Sequence, residues 1–313
     1  MRGAPGGGHC PPIALIDITT YLEERGARVD SYLDTVLPAA SHAHGRLYEA
    51  VRYSIFAGGK RFRPALCIAS CEAFGGLTEA ALPAAAALEL IHVSSLIHDD
   101  LPCMDDSDLR RGRPSCHRAF AESLAVLAGD WLLCFPFALV AEAGESAGVE
   151  SARTLRLVRE LAEAVCRAGI VEGQAEDLDA EARHISFEAL RALHARKTGS
   201  LIRAAARCGL IAAGVPLDDV VRFAAYAEPL GLAFQIADDI LDVVSDESTL
   251  GKPVGADDAN QKSTYVSCLG LEGAQEMAAR VAVDAHRELD ALPDWVDTRV
   301  LRALVDFVVD RRS

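Results

Sequence analysis

The sequence predicts an all-α fold. Its long segments, such as residues 79–100 and 216–246, carry apolar residues at helical spacing rather than in alternation. Alanine, leucine and arginine, which favour helices, dominate between the Gly/Pro breaks, and very few segments resemble strands. No Ser/Gly linker or shift in composition divides the chain. We therefore expect a single helical domain over residues 13–313, with long and largely buried central helices.

Breaks in the helical pattern set the order of the elements. Glycine- and proline-containing breaks fall at residues 75–76, 112–114, 143–148, 214–216 and 251–255. Helices cannot continue easily through such positions, so the segments between them are the predicted helices. The spacing of the breaks predicts about ten helices, with the two long segments at the centre of the bundle.

The N-terminus and the apolar stretches bear on the cellular environment. The opening residues, "MRGAPGGGHCPP", are rich in Gly and Pro and lack the apolar core of a secretory signal. They predict a disordered lead-in over residues 1–12 and a cytoplasmic protein. The longest uncharged apolar stretches are shorter than the roughly 18 to 20 residues that a spanning helix needs. No transmembrane segment is expected.

Charge and cysteine content exclude several classes of function. Lys and Arg total 31 against 46 Asp and Glu, which gives a net charge of −15 and argues against a nucleic-acid partner. An anionic ligand would need a local group of cations. Nine cysteines occur without any C-x-x-C pair. This odd, scattered set favours reduced and buried thiols over disulfides or a zinc site.

Two short segments place aspartates after apolar helical runs. In "FQIADDILD", Asp238 and Asp242 are four residues apart and share one helix face, whereas Asp239 is displaced by about 100°. Two carboxylate clusters on core-like helices would be costly unless a cation lay between them.

The other cluster, in "LIHDDLPCMDD", needs a bend in the chain. Asp99 and Asp105 are six residues apart, an offset that no straight helix aligns on one face. Pro102 disfavours helical geometry at Leu101, so the helix should loosen there. We expect the chain to curl Asp105 back toward Asp99.

These carboxylates indicate a site for a hard cation beside a site for phosphate. Mg²⁺ takes one or two protein carboxylates and completes its octahedron with water and phosphate oxygens, so two facing clusters would hold several ions. Arg110 and Arg111 could bind phosphate oxygens just beyond the metal. The alternative is that residues 105–113 form an ordinary solvated loop of ion pairs. Further basic residues recur at other loops and helix starts, at Lys60, Arg61, Arg63, Lys197, Lys252 and Lys262.

Together these motifs resemble a known family. The segments "GGKRFRP", "LIHDDLPCMDDSDLRRGRP", "KTG", "GLAFQIADDILD" and "GKPVGADDANQKSTY" are similar, in order and spacing, to those of the trans-isoprenyl diphosphate synthases, also called polyprenyl synthetases. The resemblance covers nearly the whole chain. The four residues between Asp100 and Asp105 are similar to the pattern of the bacterial and plant branch.

The resemblance implies a fold and a reaction. The fold is the isoprenoid synthase helical bundle around a deep apolar cavity, in a homodimer. An allylic diphosphate (dimethylallyl, geranyl or farnesyl) ionises with the help of Mg²⁺, and the cation is attacked by the double bond of isopentenyl diphosphate. A proton is then lost, and the chain is five carbons longer. The protein supplies charge stabilisation rather than a nucleophile, with about three Mg²⁺ ions in each site.

The resemblance also implies roles for individual residues. The metal ligands would be Asp99, Asp100, Asp105, Asp238, Asp239 and Asp242. The allylic diphosphate would contact Arg110, Lys197, Thr198, Gln235, Lys252 and Lys262. Isopentenyl diphosphate would contact Lys60, Arg63, His92 and Arg111. By themselves, a buried His, a Thr at a helix end and a Gln on a buried helix are more often polar packing partners.

Product length should depend on the helix that precedes Asp99. In the resembling family the growing chain runs along this helix, past Ser95, Ser94 and Ile91. Enzymes of the bacterial type that stop at fifteen carbons usually carry Tyr or Phe where Ser94 stands, so an open floor predicts the C20 product, geranylgeranyl diphosphate.

Two features leave the C15 product, farnesyl diphosphate, open as an alternative. The serines could instead mark a close helix contact. A bulky residue from the next helix could then close the floor, and Phe120, Trp131, Phe135 and Phe137 are candidates. With an open floor, Ile91 and Leu88 would form the next stop.

Three other functions compete with an active synthase. A class I terpene cyclase also ionises prenyl diphosphates, but it needs no second diphosphate site such as "GGKRFRP", and "DDILD" lacks its second metal motif. An inactive regulatory subunit of a heteromeric prenyl synthase tends to lose aspartates from one cluster, and both clusters are intact here. A plain acidic helical binding protein would have no lipid cavity.

Overall fold

The computed structural model describes residues 16–41, 44–180, 185–244 and 263–310. Within these ranges the helices are α1 (Ile18–Val36), α2 (Gly45–Ile55), α3 (Phe62–Ala73), α4 (Thr78–Asp99), α5 (Cys116–Ala119), α6 (Glu122–Ser146), α7 (Ser151–Val165), α8 (Ile170–Ala180), α9 (Phe187–Lys197), α10 (Gly199–Ala212), α11 (Val220–Phe223), α12 (Ala227–Val244), α13 (Tyr265–Asp290) and α14 (Arg299–Val309). The described strands, β1 (Leu109–Arg110) and β2 (Arg113–Pro114), form one antiparallel ribbon. The all-α prediction is confirmed, and the predicted lead-in at residues 1–12 lies outside the described residues.

The core is built around α4 and α10. Helix α4 packs against α3, α6 and α10, and α12 packs against α10 and α13. Alanines and leucines of α4 are almost completely buried, as its long apolar run predicts. Because α4 and α12 both pack against α10, the two helices that carry the acidic clusters belong to one bundle core.

One charged network crosses this core. The guanidinium of the buried Arg61 donates from Nε to Asp30 Oδ1 (2.9 Å) and from Nη2 to the carbonyl oxygen of Ile55 (2.6 Å). Its Nη1 donates to Glu89, a buried carboxylate in the middle of α4. Each charge has a partner, which is the condition for tolerating charges in a core. Arg61 therefore joins α1, α3 and α4.

Two helices have the length and composition of a membrane span, which the sequence does not predict. In α4, 67% of the most apolar stretch is buried inside the bundle, as in a core helix, whereas in α6 the corresponding share is 39%. In α6, Val126 and Leu127 are exposed. Length and composition alone are weak evidence for a span, and α6 is distinguished mainly by an uncovered apolar side.

The structure departs from the predicted element order in two places. Residues 216–246 were expected to form one long helical stretch, but the short α11 ends at Phe223 and α12 begins at Ala227. Where a plain loop was expected, β1 and β2 form a tight ribbon. Its turn residues, Arg111 and Gly112, both have positive φ (54° and 72°), as a two-residue hairpin turn requires. This turn holds neighbouring arginines in fixed positions.

Candidate active site

The first acidic cluster lies where α4 ends. The helix stops at Asp99, and the next residues turn back, so that the amide of Asp105 donates to the carbonyl oxygen of Asp99 (2.9 Å). The amide of Met104 donates to the carbonyl oxygen of Leu101 (2.9 Å). This is the turn that Pro102 predicts, and it brings Asp105 beside the end of the helix.

Asp100 and Arg110 form a close pair across the turn. From β1, Arg110 donates through Nη2 to Asp100 Oδ1 (2.6 Å) and through Nε to Oδ1 (3.1 Å) and Oδ2 (3.3 Å). Burial raises the pKa of the Asp100 carboxyl, and the bond to Arg110 opposes that rise. Burial also disfavours the charge of Arg110, but Asp100, Asp99 and Asp105 outweigh it and raise the pKa of the guanidinium. Asp100 and Arg110, which were both predicted to bind ligands, thus form an ion pair with each other.

A group of cations surrounds His92 on α4. Burial, followed by the charges of Arg63, Arg111, Arg110 and Arg61, holds the pKa of the imidazole well below its usual value. His92 is therefore neutral at physiological pH. The arginines that the sequence scatters over two segments converge here, where an anion would find several donors.

The start of α3 contributes Lys60 and Arg63. The ammonium of the exposed Lys60 lies 5.8 Å from the centroid of the Phe307 ring on α14. The guanidinium of Arg63 lies 5.3 Å from the centroid of the Phe234 ring on α12. Phe234 precedes Asp238 by four residues and shares its helix face, so Arg63 lies on the side of α12 that carries the second acidic cluster.

Arg111 is held by backbone and by Glu89. Its Nη1 donates to the carbonyl oxygen of Gly58, and its Nη2 lies 3.7 Å from Glu89 Oε1. Burial lowers the pKa of this guanidinium from its usual value, and Glu89 opposes the change. Gly59 has a φ of 119°, and a Cβ there would lie 2.6 Å from Arg111 Cζ. Only glycine leaves room for this guanidinium.

The second acidic cluster lies in the C-terminal half of α12. Asp239 is buried, and its Oδ1 accepts from Gln235 Nε2 (2.8 Å), while its Oδ2 accepts from the amide of Tyr265 (2.7 Å) at the start of α13. A carboxylate at a helix N-terminus satisfies a free amide and complements the helix dipole. Asp239 therefore anchors α13. Asp242 is buried and Asp238 half-buried.

The predicted allylic-site residues meet at the junction of α9 and α10. Thr198 Oγ1 donates to Gln235 Oε1 (2.6 Å), which ties this junction to α12 and, through Asp239, to α13. Lys197 Nζ donates to Asp177 Oδ2 on α8 (2.6 Å). The polar-packing interpretation of Thr198 and Gln235 thus describes real contacts.

An apolar cavity of about 280 Å³ opens beside Asp99, between α4, α6, α7 and α8. The three predicted chain-length residues, Ile91, Ser94 and Ser95, line it. Its other lining residues include Leu133, Val165, Ile170, Val171 and Leu178. A mainly apolar cavity with the carboxylate of Asp99 at one end suits a ligand that has an apolar tail and a charged head.

The serines of the cavity also make packing contacts. Ser94 Oγ donates to the carbonyl oxygen of Gly129 on α6 (2.8 Å), and Ser95 Oγ donates to the carbonyl oxygen of His92 (2.8 Å). The close-contact alternative therefore holds for Ser94. Because its small side chain also borders the cavity, the two interpretations are compatible.

The aromatic candidates on the next segment pack elsewhere. The ring of Trp131 stacks on that of Phe135 with centroids 4.5 Å apart, and Phe120 contacts the ring of Tyr53 at 5.3 Å. Neither these residues nor Phe137 are among the residues that line the cavity in the described part of the chain. Bulky closure of the floor by these rings is not seen.

The donor set of the two clusters suits magnesium. Within residues 16–41, 44–180, 185–244 and 263–310, no three His, Cys, Asp or Glu side chains converge closely enough to hold a metal ion by themselves. Mg²⁺ needs only one or two carboxylates, with water and phosphate oxygens as its other ligands. Asp99 at the end of α4, Asp105 in the turn after it and Asp238 on α12 offer such hard oxygen donors.

Some site residues lie outside the described ranges, and others were not predicted. Lys252 and Lys262 belong to the residues that the structure does not describe. The sequence interpretation missed Gln174, Asp177 and Glu89. Their signal was polarity on otherwise apolar helix faces: Glu89 interrupts the apolar run of α4, and Gln174 lies between apolar residues of α8 at helical spacing.

Comparisons with known proteins agree with this arrangement. A sequence model of the polyprenyl synthetase family matches residues 44–292. A geranylgeranyl diphosphate synthase of Cyanophora paradoxa is 41% identical over 303 residues, which cover 95% of this chain and 97% of that protein. A farnesyl diphosphate synthase of Escherichia coli strain K12 is 46% identical over 305 residues, covering 95% and 100%. A solved structure of a geranyltransferase from Helicobacter pylori, complexed with magnesium and isoprenyl diphosphate, matches with a TM-score of 0.80 and 32% identity, covering 94% of this chain and 97% of that one. The chain belongs to the polyprenyl synthetase family.

Proposed function

We propose that this protein is a short-chain trans-prenyltransferase that condenses allylic diphosphates with isopentenyl diphosphate and releases geranylgeranyl diphosphate. One observation carries the proposal. The acidic turn after α4 borders one end of an apolar cavity, and a group of cations surrounds His92 on the same helix, two turns before Asp99. Family membership and the named relatives support the same activity.

The allylic diphosphate binds at the acidic end of the cavity. Asp99, Asp105 and Asp238 would hold Mg²⁺, with about three ions in each site, and the bound metal would supply positive charge that stabilises the leaving diphosphate. The guanidinium of Arg110 now pairs with Asp100. A diphosphate would compete with Asp100 for that guanidinium, which would leave the carboxylate of Asp100 free to serve as a further metal ligand. Lys197 adds a second cation from the α9–α10 junction.

Isopentenyl diphosphate binds among the cations of α3, α4 and the ribbon. Arg63 and Arg111 offer planar donors, Lys60 offers an ammonium, and the neutral imidazole of His92 offers one further N–H. The C–O bond of the allylic diphosphate breaks with its electron pair on oxygen, and the alkene then forms the new C–C bond. The proton that is lost leaves with the pyrophosphate.

The C20 product follows from the small residue at the cavity floor. Ser94 leaves the space beside Ile91 open, and none of the neighbouring aromatic rings closes it in the described part of the chain. The alternative is farnesyl diphosphate, which the 46% identity to the Escherichia coli farnesyl diphosphate synthase favours.

Product analysis tests the proposal. The pure protein is incubated with Mg²⁺, isopentenyl diphosphate and, in turn, the C5, C10 and C15 allylic diphosphates, and the dephosphorylated alcohols are identified. Geranylgeraniol is expected as the main product. Farnesol would keep the reaction but overturn the C20 assignment. No elongation from any starter would instead support an inactive regulatory subunit.

We further propose that the protein is a homodimer joined through α6. Of the two long apolar helices, α6 is less buried than α4, and it exposes Val126 and Leu127. A charged residue in such a contact is strongly unfavourable. Leu127→Asp should therefore convert a dimer to a monomer in analytical ultracentrifugation, while the exposed Leu155→Asp on α7 should leave it dimeric. A wild-type protein that sediments as a monomer would refute the dimer.

A further inference from the structure

Gln174 on α8 carries two buried polar atoms that have no partner. Neither Oε1 nor Nε2 of its amide has a hydrogen-bonding group within reach in the described part of the chain. A buried amide without partners is costly, and proteins usually avoid it or use it. The rest of the cavity wall on this helix is apolar, with Ile170, Val171 and Leu178. An apolar residue at position 174 would therefore suit the folded state better than glutamine does.

The position of Gln174 is fixed by contacts on both sides of it. A Cβ on Gly173 would lie 2.4 Å from the amide nitrogen of Lys197, so at this point α8 lies directly against the backbone of the α9–α10 junction. One turn later, Asp177 Oδ2 accepts a hydrogen bond from Lys197 Nζ (2.6 Å). These two contacts hold Gln174 beside the residue that we assign to the allylic diphosphate.

Gln174 also faces the acidic end of the cavity. It lines the same cavity as Asp99 and Ser95, which come from α4 on the other wall. A prenyl diphosphate whose head is held near Asp99 and Lys197, with its tail along Ser95 and Ile91, would have its first carbons beside this amide. No other uncharged side-chain amide lines the cavity among the described residues.

We infer that Gln174 is a catalytic residue that stabilises the separating charges of the allylic substrate. This inference rests on the proposed function. When the C–O bond breaks, the electron pair leaves with the diphosphate oxygen and positive charge develops on the allylic carbons. The amide is a dipole, with a partially negative oxygen and partially positive N–H groups. In the transition state, the amide oxygen faces the allylic cation and an amide N–H faces the departing oxygen. The amide thus finds there the partners that the folded protein does not give it, and it stabilises the transition state in return.

The test compares Gln174→Met with the wild type and with Asp179→Asn. Methionine keeps the length and flexibility of glutamine but lacks the amide dipole. Asp179 is an exposed residue of the same helix outside the cavity lining. We expect Gln174→Met to lower kcat at least about tenfold, with KM for both substrates changed less than about threefold. Its Tm should equal or exceed that of the wild type, because an unpaired amide has been removed. Asp179→Asn should match the wild type in all three quantities.

Binding of two analogues separates charge stabilisation from packing. One is an unreactive allylic thiolodiphosphate, which mimics the neutral substrate, and the other carries an ammonium group in place of the cationic carbon. Gln174→Met should weaken the ammonium analogue by about the same factor as kcat and leave the thiolodiphosphate nearly unchanged. A kcat within about twofold of the wild type, or equal weakening of both analogues, would overturn the inference. A wild type that elongates no starter would overturn the proposed function itself, and this inference with it.

Discussion

At the scale of single residues, the proposed chemistry depends most on the aspartates of the acidic turn after α4. Asp99 and Asp105 are brought together by a hydrogen bond between their backbone groups, so replacing the Asp99 side chain leaves this bond in place. Asp239 differs, since its Oδ2 accepts from the first amide of α13 and its Oδ1 accepts from Gln235 of its own helix. In the proposed assignment, Asp99 therefore binds metal, whereas Asp239 supports the start of α13.

Replacing Asp99 should remove activity without unfolding the protein. Asp99→Ala should lower kcat at least about 100-fold, because leaving-group stabilisation is lost, while the far-ultraviolet circular dichroism stays unchanged. Asp108→Ala is the control, since Asp108 is exposed and pairs with Arg118 at the surface. Near-normal turnover of Asp99→Ala would refute the metal assignment.

Replacing Ser94 should change the length of the product. Ser94→Tyr places a ring at the cavity floor, so the main product should shift from twenty to fifteen carbons, as chromatography of the alcohols would show. Ser94→Ala, which removes only the hydroxyl bonded to Gly129, should retain the C20 product. If the tyrosine variant still makes the C20 product, the stop lies on another helix.

At the scale of elements, the β-ribbon and the turn before α3 fix the guanidinium of Arg111. Gly59→Ala should displace it, because the added Cβ would lie 2.6 Å from Arg111 Cζ. We expect KM for isopentenyl diphosphate to rise about tenfold, with a smaller change in KM for the allylic substrate. Gly58→Ala is the matched control. Gly58 also has a positive φ, 92°, and its carbonyl also holds Arg111, but a Cβ there meets nothing within 4 Å, so Gly58→Ala adds backbone strain without a contact to the guanidinium. If Gly58→Ala and Gly59→Ala changed KM equally, backbone strain rather than displacement of Arg111 would be the cause.

Local patterns predicted the elements that carry the site, and longer-range pairings were not predictable. The end of α4 and the turn at Pro102 follow from neighbouring residues, so the sequence was sufficient. The pair of Asp100 with Arg110 was missed because both had been assigned to ligands. The bond from Tyr265 to Asp239 joins residues 26 apart across an undescribed segment, and no helical periodicity reports such a contact. Gln174 was missed because the lack of hydrogen-bond partners for its amide is visible only once the surrounding helices are in place.

At the scale of the whole molecule, buried histidine links stability to acidity. Burial lowers the pKa of His194 to about 4, with Lys197 acting in the same direction and Asp177 opposing. In the unfolded chain the pKa is about 6.5, so between these values the unfolded state binds more protons and stability falls as pH falls. At pH 5 the loss is about 2 kcal/mol. Above about pH 6.5 this residue has no effect.

Urea unfolding measures this effect. The wild type should lose about 2 kcal/mol of unfolding free energy between pH 7.5 and pH 5.0 more than His194→Leu does. The contact of His286 on α13 with Asp306 on α14 offers a control. His286→Leu removes this surface contact and leaves His194 in place. Equal pH dependence of the wild type and His194→Leu would show that other groups control acid stability.

The position of α6 has a consequence for regulation. One side of this helix contributes Leu133 to the cavity wall and the Gly129 carbonyl to Ser94, and the opposite side exposes Leu127. A subunit that bound the outer side and shifted α6 would therefore also move the residues that border the cavity floor. Product length would then depend on the assembly as well as on this polypeptide.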